Sequence, residues 1–203
     1  MSDPILILAD SVDGSYLRQI LIDLEPNRQV DVAQNTSSLI QFNQTDTYQK
    51  ALNPRLIGFC TNVIVAPQIL DDFRGGCYNF HPGPPDYPGS NAASFAIYDE
   101  AQTYGVTAHE MAARVDSGAI VGTVQFAVPS VCRFLDLEIL AYQNLCALFE
   151  TLAPELTQTT QPLVHLDTQW GTNKRTRRDF EEMQQVTEGM SEAEIRLRWR
   201  AFG

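Results

Sequence analysis

Ile5-Leu6-Ile7-Leu8-Ala9 is an uninterrupted apolar run that stops at Asp10. Consecutive apolar residues on a strand point to both faces in turn, so this strand has to be covered on both sides. Strands of that kind belong to parallel sheets, whose crossovers lay helices over each face. The next segments fit. Leu17, Ile20, Leu21 and Leu24 have helical spacing, behind a turn and cap expected at Asp13-Gly14-Ser15, with Asp10 read as a turn residue. Val30-Asp31-Val32 predicts a second strand, and residues 55–60 predict another buried one. Residues 62–66 read as a loop, with Pro67 opening a short helix through Leu70. Cys77-Tyr78-Asn79-Phe80-His81 alternates and runs into Pro82, a strand ending in an irregular loop.

Further along, residues 91–102 are helical in pattern, and 106–111 and 120–128 are strand-like. Residues 135–152 form the clearest amphipathic helix, expected to end near Pro154. Residues 37–52 are polar, weakly periodic and predict no definite element. Beyond His165 the pattern loosens, with Trp170-Gly171, the basic residues Lys174, Arg175, Arg177 and Arg178, and a helix from Ser191 whose capping-box partner is Glu194. The alternation predicts an α/β fold: an open, mostly parallel sheet with helices on both faces. One domain over residues 1–160 is expected, with a short C-terminal extension over 161–203 packing on or beside it.

Composition narrows the function. Apolar residues make up 44% of the 203, enough for a real core. A net charge of −11 argues against nucleic acid as partner, because phosphate contact needs clustered Lys and Arg. The charge is uneven, near +1 over residues 171–203 and −12 before them, which leaves room for an anionic ligand near the C-terminal segment. No run of about 18 apolar residues exists to span a membrane. Nothing basic precedes the short apolar run at the N-terminus, so a cytoplasmic protein is expected. Cys60, Cys77, Cys132 and Cys146 lack CxxC spacing and His neighbours, which predicts no metal site and buried cysteines in a reducing compartment. A catalytic thiol at Cys77 is the alternative.

The chemistry concentrates in Asn79-Phe80-His81-Pro82-Gly83-Pro84-Pro85-Asp86-Tyr87-Pro88-Gly89. Residues two apart on a strand share a face, so Asn79 and His81 point into one cleft. The prolines and glycines that follow make a rigid, non-repetitive wall. His109 and Asp116 come later in the chain. An Asn amide can donate to a carbonyl oxygen as it becomes an oxyanion. A His can move the proton, and an Asp can stabilise the imidazolium. Taken singly, each of these four residues reads as an ordinary structural residue, and so does His165.

Together they carry more. Asn79-x-His81-Pro82, Tyr87-Pro88-Gly89, Gly105-Val106-Thr107-x-His109 and Asp116-x-Gly118-x-Ile120, in this order, resemble the 10-formyltetrahydrofolate-dependent formyltransferase family. That family includes glycinamide ribonucleotide transformylase, the catalytic domain of methionyl-tRNA formyltransferase and amino-sugar N-formyltransferases. The resemblance implies a Rossmann-like catalytic domain in residues 1–160 and a catalytic triad of Asn79, His81 and Asp116, supported by His109. It places 10-formyltetrahydrofolate, the co-substrate, against the backbone of Asn62, Val63, Ile64 and Val65 and the loop at Val115. The amine acceptor would approach residues 82–89.

Departures from the family pattern guide the choice of acceptor. The stretch before Asn79 is short, and Asp10 and Asp13 flank the turn that cradles phosphate in the purine enzymes, a poor anion site. The sequence ends at Gly203 without room for the RNA-binding barrel that follows the domain in methionyl-tRNA formyltransferases, so tRNA is not the expected acceptor. The wording of residues 79–89 is nearest to enzymes acting on nucleotide-linked amino sugars in surface-polysaccharide biosynthesis. Pro84 and Tyr87 would then contact the acceptor, with Trp170 stacking on its base and Lys174 and Arg175 on its diphosphate. A homodimer is left open. The other readings are a 10-formyltetrahydrofolate hydrolase, a formyltransferase acting on another amine, and a non-catalytic folate-binding relative.

Overall fold

The computed structural model describes residues 2–203. The first strand, β1 (Ile5–Leu8), is buried at every position, as its uninterrupted apolar run requires. Helix α1 (Ser11–Leu24) follows at once, because the Asp10 carboxylate accepts from the backbone N–H of Val12 and of Asp13 at 2.8 and 2.9 Å. Asp10 is therefore a helix cap. The turn expected at Asp13-Gly14-Ser15 lies inside the helix instead. Gly14 faces β2 (Val30–Ala33) so closely that a Cβ there would stand 2.4 Å from Val32 Cγ1.

The polar stretch that predicted no element folds as two short helices, α2 (Thr36–Asn43) and α3 (Asp46–Lys50). Asn35 and Ser38 close a capping box on α2. Then come β3 (Arg55–Phe59), α4 (Pro67–Leu70), β4 (Cys77–His81), α5 (Ala92–Tyr98), β5 (Thr103–Glu110) and β6 (Ile120–Ala127). Helix α6 (Phe134–Gln158) runs past Pro154 rather than ending there. Two more helices complete the chain, α7 (Arg177–Met183), which the sequence did not announce, and α8 (Glu192–Phe202), capped by Ser191.

The sheet is open and mixed, six strands in the order β2-β1-β3-β4-β5-β6, with helices on both faces. β2, β1, β3 and β4 pair in parallel, with Ile5 opposite Val30 and Arg55, and Gly58 opposite Asn79. On the other side the direction reverses. Met111 N donates to Cys77 O at 2.8 Å, so the end of β5 meets the start of β4. Glu110 N donates to Ala119 O at 2.8 Å, which makes β5 and β6 a hairpin.

The residues group into two compact units. The first comprises the chain up to His81 with Ala108–Gly122 and Ala147–Asp167. One of its apolar clusters packs Leu6, Leu8, Leu39, Tyr48, Leu56 and Phe73. Another stacks Phe80 against Phe149 and Phe59, with ring centroids 5.1 and 6.0 Å apart. The second unit comprises Pro82–Thr107, Thr123–Cys146 and Thr168–Gly203. Its core brings Phe95, Tyr98 and Phe180 around Phe202.

Buried Arg55 ties three pieces of the first unit together. Its guanidinium donates to Gly75 O at 2.8 Å and Gln161 O at 3.0 Å, and to the carbonyls of Glu155 and Leu156 at the end of α6. A cation at a helix C-terminus satisfies carbonyls that have no intrahelical donor and complements the dipole. These contacts help the helix persist beyond Pro154. Arg55→Leu is expected to lower the unfolding free energy by about 3 kcal/mol or more, because several buried carbonyls lose their donor at once. Urea unfolding measures this, and a loss under about 1 kcal/mol would contradict it.

Candidate active site

β4 sorts its side chains by alternation. Tyr78 and Phe80 are fully buried, while Asn79 and His81 are half-buried on the opposite face. Phe80 is held by the aromatic stack, and Tyr78 by its hydroxyl, which accepts from Leu163 N at 2.9 Å. Asn79 and His81 thus share one face, as the alternation predicts.

β5 brings in the next residue. His109 is 3% exposed, and its two ring nitrogens meet different partners. Nδ1 lies 2.7 Å from the Glu110 carbonyl oxygen, an acceptor, so Nδ1 carries a hydrogen. Nε2 lies 3.2 Å from Asn79 Nδ2 and 3.5 Å from Asp116 Oδ1. In the neutral ring Nε2 accepts from the Asn79 amide, and in the imidazolium it donates to Asp116. Asn79, His109 and Asp116 are therefore brought together, with His81 two residues along the same strand face.

Asp116 sits on the loop between β5 and β6 with φ of 46°, in the left-handed region, and is 6% exposed. Two features hold that loop. Ser117 Oγ donates to Arg114 O at 2.7 Å, and at Gly118 a Cβ would fall 2.0 Å from Glu110 O. The His165 imidazole reaches Glu110 Oε1 at 3.0 Å, one residue from His109. Both side chains are partly exposed there, so the pair is a surface contact.

The segment expected to meet the folate runs without regular structure between β3 and α4. Val63 and Val65 pack against the first unit's cluster, while Asn62 is exposed and Ile64 is 74% exposed. Alternation therefore anchors the loop by two valines and leaves Ile64 exposed between them. Val115, before Asp116, is also exposed. Cys77 is buried and its thiol is pushed up to about 12, by burial first and then by the charges of Glu110 and Asp71. A thiol so far from ionising is a poor nucleophile, which removes the catalytic-thiol alternative. Among the described residues, no group of His, Cys, Asp and Glu is arranged to hold a metal.

The residues expected to meet the acceptor lie in the second unit. Pro84 is buried beside Gly105, and the Tyr87 ring packs against Tyr104 with centroids 6.3 Å apart. Burial, with Asp99 nearby, pushes the Tyr87 phenol up to about 12. Gly171 N donates to Pro85 O at 2.9 Å, Arg175 N to Pro88 O at 3.1 Å, and Ser90 N to Arg175 O at 3.0 Å. Residues 171–175 thereby brace the proline-rich loop. The Arg175 guanidinium lies over the Phe95 ring, 4.9 Å from its centroid. Trp170 is half-buried and Lys174 exposed. Arg177 and Arg178 are engaged within α7 by Glu181 and Glu182 at 3.0 and 2.8 Å.

Residues 24–131, more than half of the chain, match the family model described as formyl transferase. A methionyl-tRNA formyltransferase of Borrelia hermsii is 37% identical over 90 residues, covering 43% of this chain and 29% of that enzyme. The match thus spans under a third of that relative's length. An N-formyltransferase from Helicobacter canadensis, solved with folinic acid and dTDP-3-aminofucose, superposes with a TM-score of 0.73 at 17% identity, covering 100% of this chain and 81% of that one. The formyltransferase PseJ from Anoxybacillus kamchatkensis, solved with UDP-4,6-dideoxy-4-formamido-L-AltNAc and tetrahydrofolate, gives a TM-score of 0.70 at 16% identity, covering 93% of each chain. At these identities the solved structures share the fold.

Gly118→Ala tests how the loop is held. A Cβ there meets backbone that has no room to yield, so a loss of about 1–3 kcal/mol is expected. The ring resonances of His109 should shift with it, because Asp116 moves. A variant with unchanged melting and unchanged His109 signals would show that this close approach does not place Asp116.

Proposed function

This chain belongs to the formyl transferase family, and we propose that it transfers the formyl group of 10-formyltetrahydrofolate to the amine of a nucleotide-linked amino sugar. The observation that carries this reading is the buried arrangement in which His109 Nε2 lies 3.2 Å from the Asn79 amide and 3.5 Å from the Asp116 carboxylate, beside His81. One N–H of Asn79 is engaged by His109, and the other remains to donate to the formyl oxygen. That donor matters most as the amine nitrogen attacks the formyl carbon and negative charge gathers on the oxygen. His81 takes the proton from the attacking amine and returns one to the folate nitrogen as its bond to the formyl carbon breaks. Asp116 balances the positive charge that develops on imidazole.

The chain's residues fit a folate co-substrate. Exposed Ile64 and Val115 offer apolar surface, and the backbone of Asn62, Val63, Ile64 and Val65 is not consumed by regular structure. The complexes of the two solved relatives with folinic acid and tetrahydrofolate support this choice. Their nucleotide-sugar ligands support the acceptor class. We assign the catalytic work to residues 1–160 and an acceptor-side role to the extension 161–203, through Trp170, Lys174 and Arg175 together with Pro84 and Tyr87. Methionyl-tRNA is the second reading, favoured by the identity to the Borrelia enzyme. The net charge of −11 weighs against it.

A panel of nucleotide-linked amino sugars, with charged methionyl-tRNA beside it, incubated with 10-formyltetrahydrofolate and read by mass, tests the reading. Addition of one formyl group to an amino sugar is the expected result. Formate release that needs no amine would make the protein a hydrolase. His81→Ala should lose about 10²–10⁴ in turnover, the typical worth of a positioned proton carrier. Its folate affinity, followed by calorimetry, should be nearly unchanged. Most of the activity surviving in His81→Ala would remove His81 from the mechanism.

A further inference from the structure

We infer that Gly58, which carries no functional group, is a positioning residue for formyl transfer: the space left by its missing side chain sets the orientation of the Asn79 amide. The inference rests on the role proposed above for Asn79.

Gly58 is the fourth of the five residues of β3, directly opposite Asn79 in the parallel ladder. A Cβ at this position would stand 2.8 Å from Asn79 Oδ1, 2.7 Å from Met111 Cε and 3.3 Å from Thr61 Cγ2. The amide oxygen thus lies too close for any other residue to place its first side-chain atom there without a shift. With Oδ1 seated over Gly58, Nδ2 is the end of the amide that faces His109 Nε2 at 3.2 Å. An amide plane turns about a single terminal torsion, so moving one end moves the other.

Glycine is not required at this point by the backbone. Gly58 is absent from the glycines with positive φ, which are Gly76, Gly89 and Gly189. It stands in a fully buried strand between Ile57 and Phe59, where glycine costs about 0.5–1 kcal/mol relative to Ala. Glycine inside a strand marks a close approach of another group. Of the atoms nearest the missing Cβ, Met111 Cε is the tip of a flexible side chain and shifts cheaply. Asn79 Oδ1 yields only by rotating Nδ2 away from His109.

The test is a double-substitution cycle on Gly58 and Asn79, read by steady-state kinetics and by melting. Gly58→Ala is expected to lower kcat by about 10–100-fold, since catalytic groups displaced by around 1 Å lose about that much. KM for both substrates should stay within about twofold. In the Asn79→Ala background, adding Gly58→Ala should cost less than about twofold further, and the double variant should melt above Gly58→Ala alone because the space is now free. If Gly58→Ala is unfolded, kinetics are taken in a Met111→Ala background, and recovery of the fold in Gly58→Ala/Asn79→Ala supports the contact. Wild-type kcat in Gly58→Ala beside a crippled Asn79→Ala overturns this inference alone. So does the same fold-loss from Gly58→Ala in both backgrounds, or a Gly58→Ala that stays unfolded in every one. Full activity in Asn79→Ala would instead overturn the proposed function, and this inference with it.

Discussion

The hydrogen bond from Met111 N to Cys77 O, 2.8 Å long, fixes the register on which the site depends. It belongs to the one place where the sheet turns from parallel to antiparallel. In the parallel half, neighbouring strands present matching ends together. Across β4 and β5 the end of one strand faces the start of the other, which sets His109 beside Asn79. A slip of one residue would turn every side chain of the strand to the other face. The core forbids the slip: Tyr78 and Phe80 are fully buried, one accepting from Leu163 N and the other stacked on Phe149. Hydrophobic burial on one face of β4 therefore sets the geometry of the polar groups on the other.

The loop after β4 shows what its prolines demand. Proline lacks an N–H, so a proline-rich loop has carbonyls to satisfy and few donors of its own. Within the second unit, Tyr104 donates its hydroxyl to Pro82 O at 3.0 Å, and Thr107 donates to Gly83 O at 2.8 Å. Gly171 and Arg175 supply backbone N–H groups to Pro85 and Pro88. At Gly89, with φ of 102°, a Cβ would fall 2.0 Å from Arg175 O, so this bridge closes only around glycine. The C-terminal segment is thus built into the loop's hydrogen bonding. Arg175 acts there through its backbone while its side chain lies over Phe95.

Physical causes separate what the sequence made legible from what it hid. The buried strands were readable because continuous apolar runs have few other uses: residues 55–60 became Arg55–Phe59, and Cys77–His81 fell where its alternation put it. Helices α2 and α3 were hidden because polar side chains cover them, although Asn35 with Ser38 was a readable cap. α6 outran Pro154 with help from Arg55, a residue about a hundred positions away. At the site, the spacing of Asn79 and His81 told which face they share. It did not tell that His109 Nε2 would lie within reach of both Asn79 and Asp116, because that follows from the antiparallel pairing. Gly58 was hidden in the open. Its signal was a glycine inside an apolar run, without a turn to justify it.

His109 links these groups chemically. Its Nδ1 hydrogen is committed to Glu110 O, so only Nε2 can change what it offers. When neutral, Nε2 accepts from Asn79 and steadies the amide in the orientation that Gly58 makes room for. When protonated, Nε2 donates to Asp116 and has nothing to offer the Asn79 N–H. The hydrogen bond from the amide therefore needs the lone pair of Nε2, and the Asp116 carboxylate lies 3.5 Å from that same atom. Asn79 and Asp116 thus compete for one ring nitrogen, and only the pairing with Asn79 orients the amide.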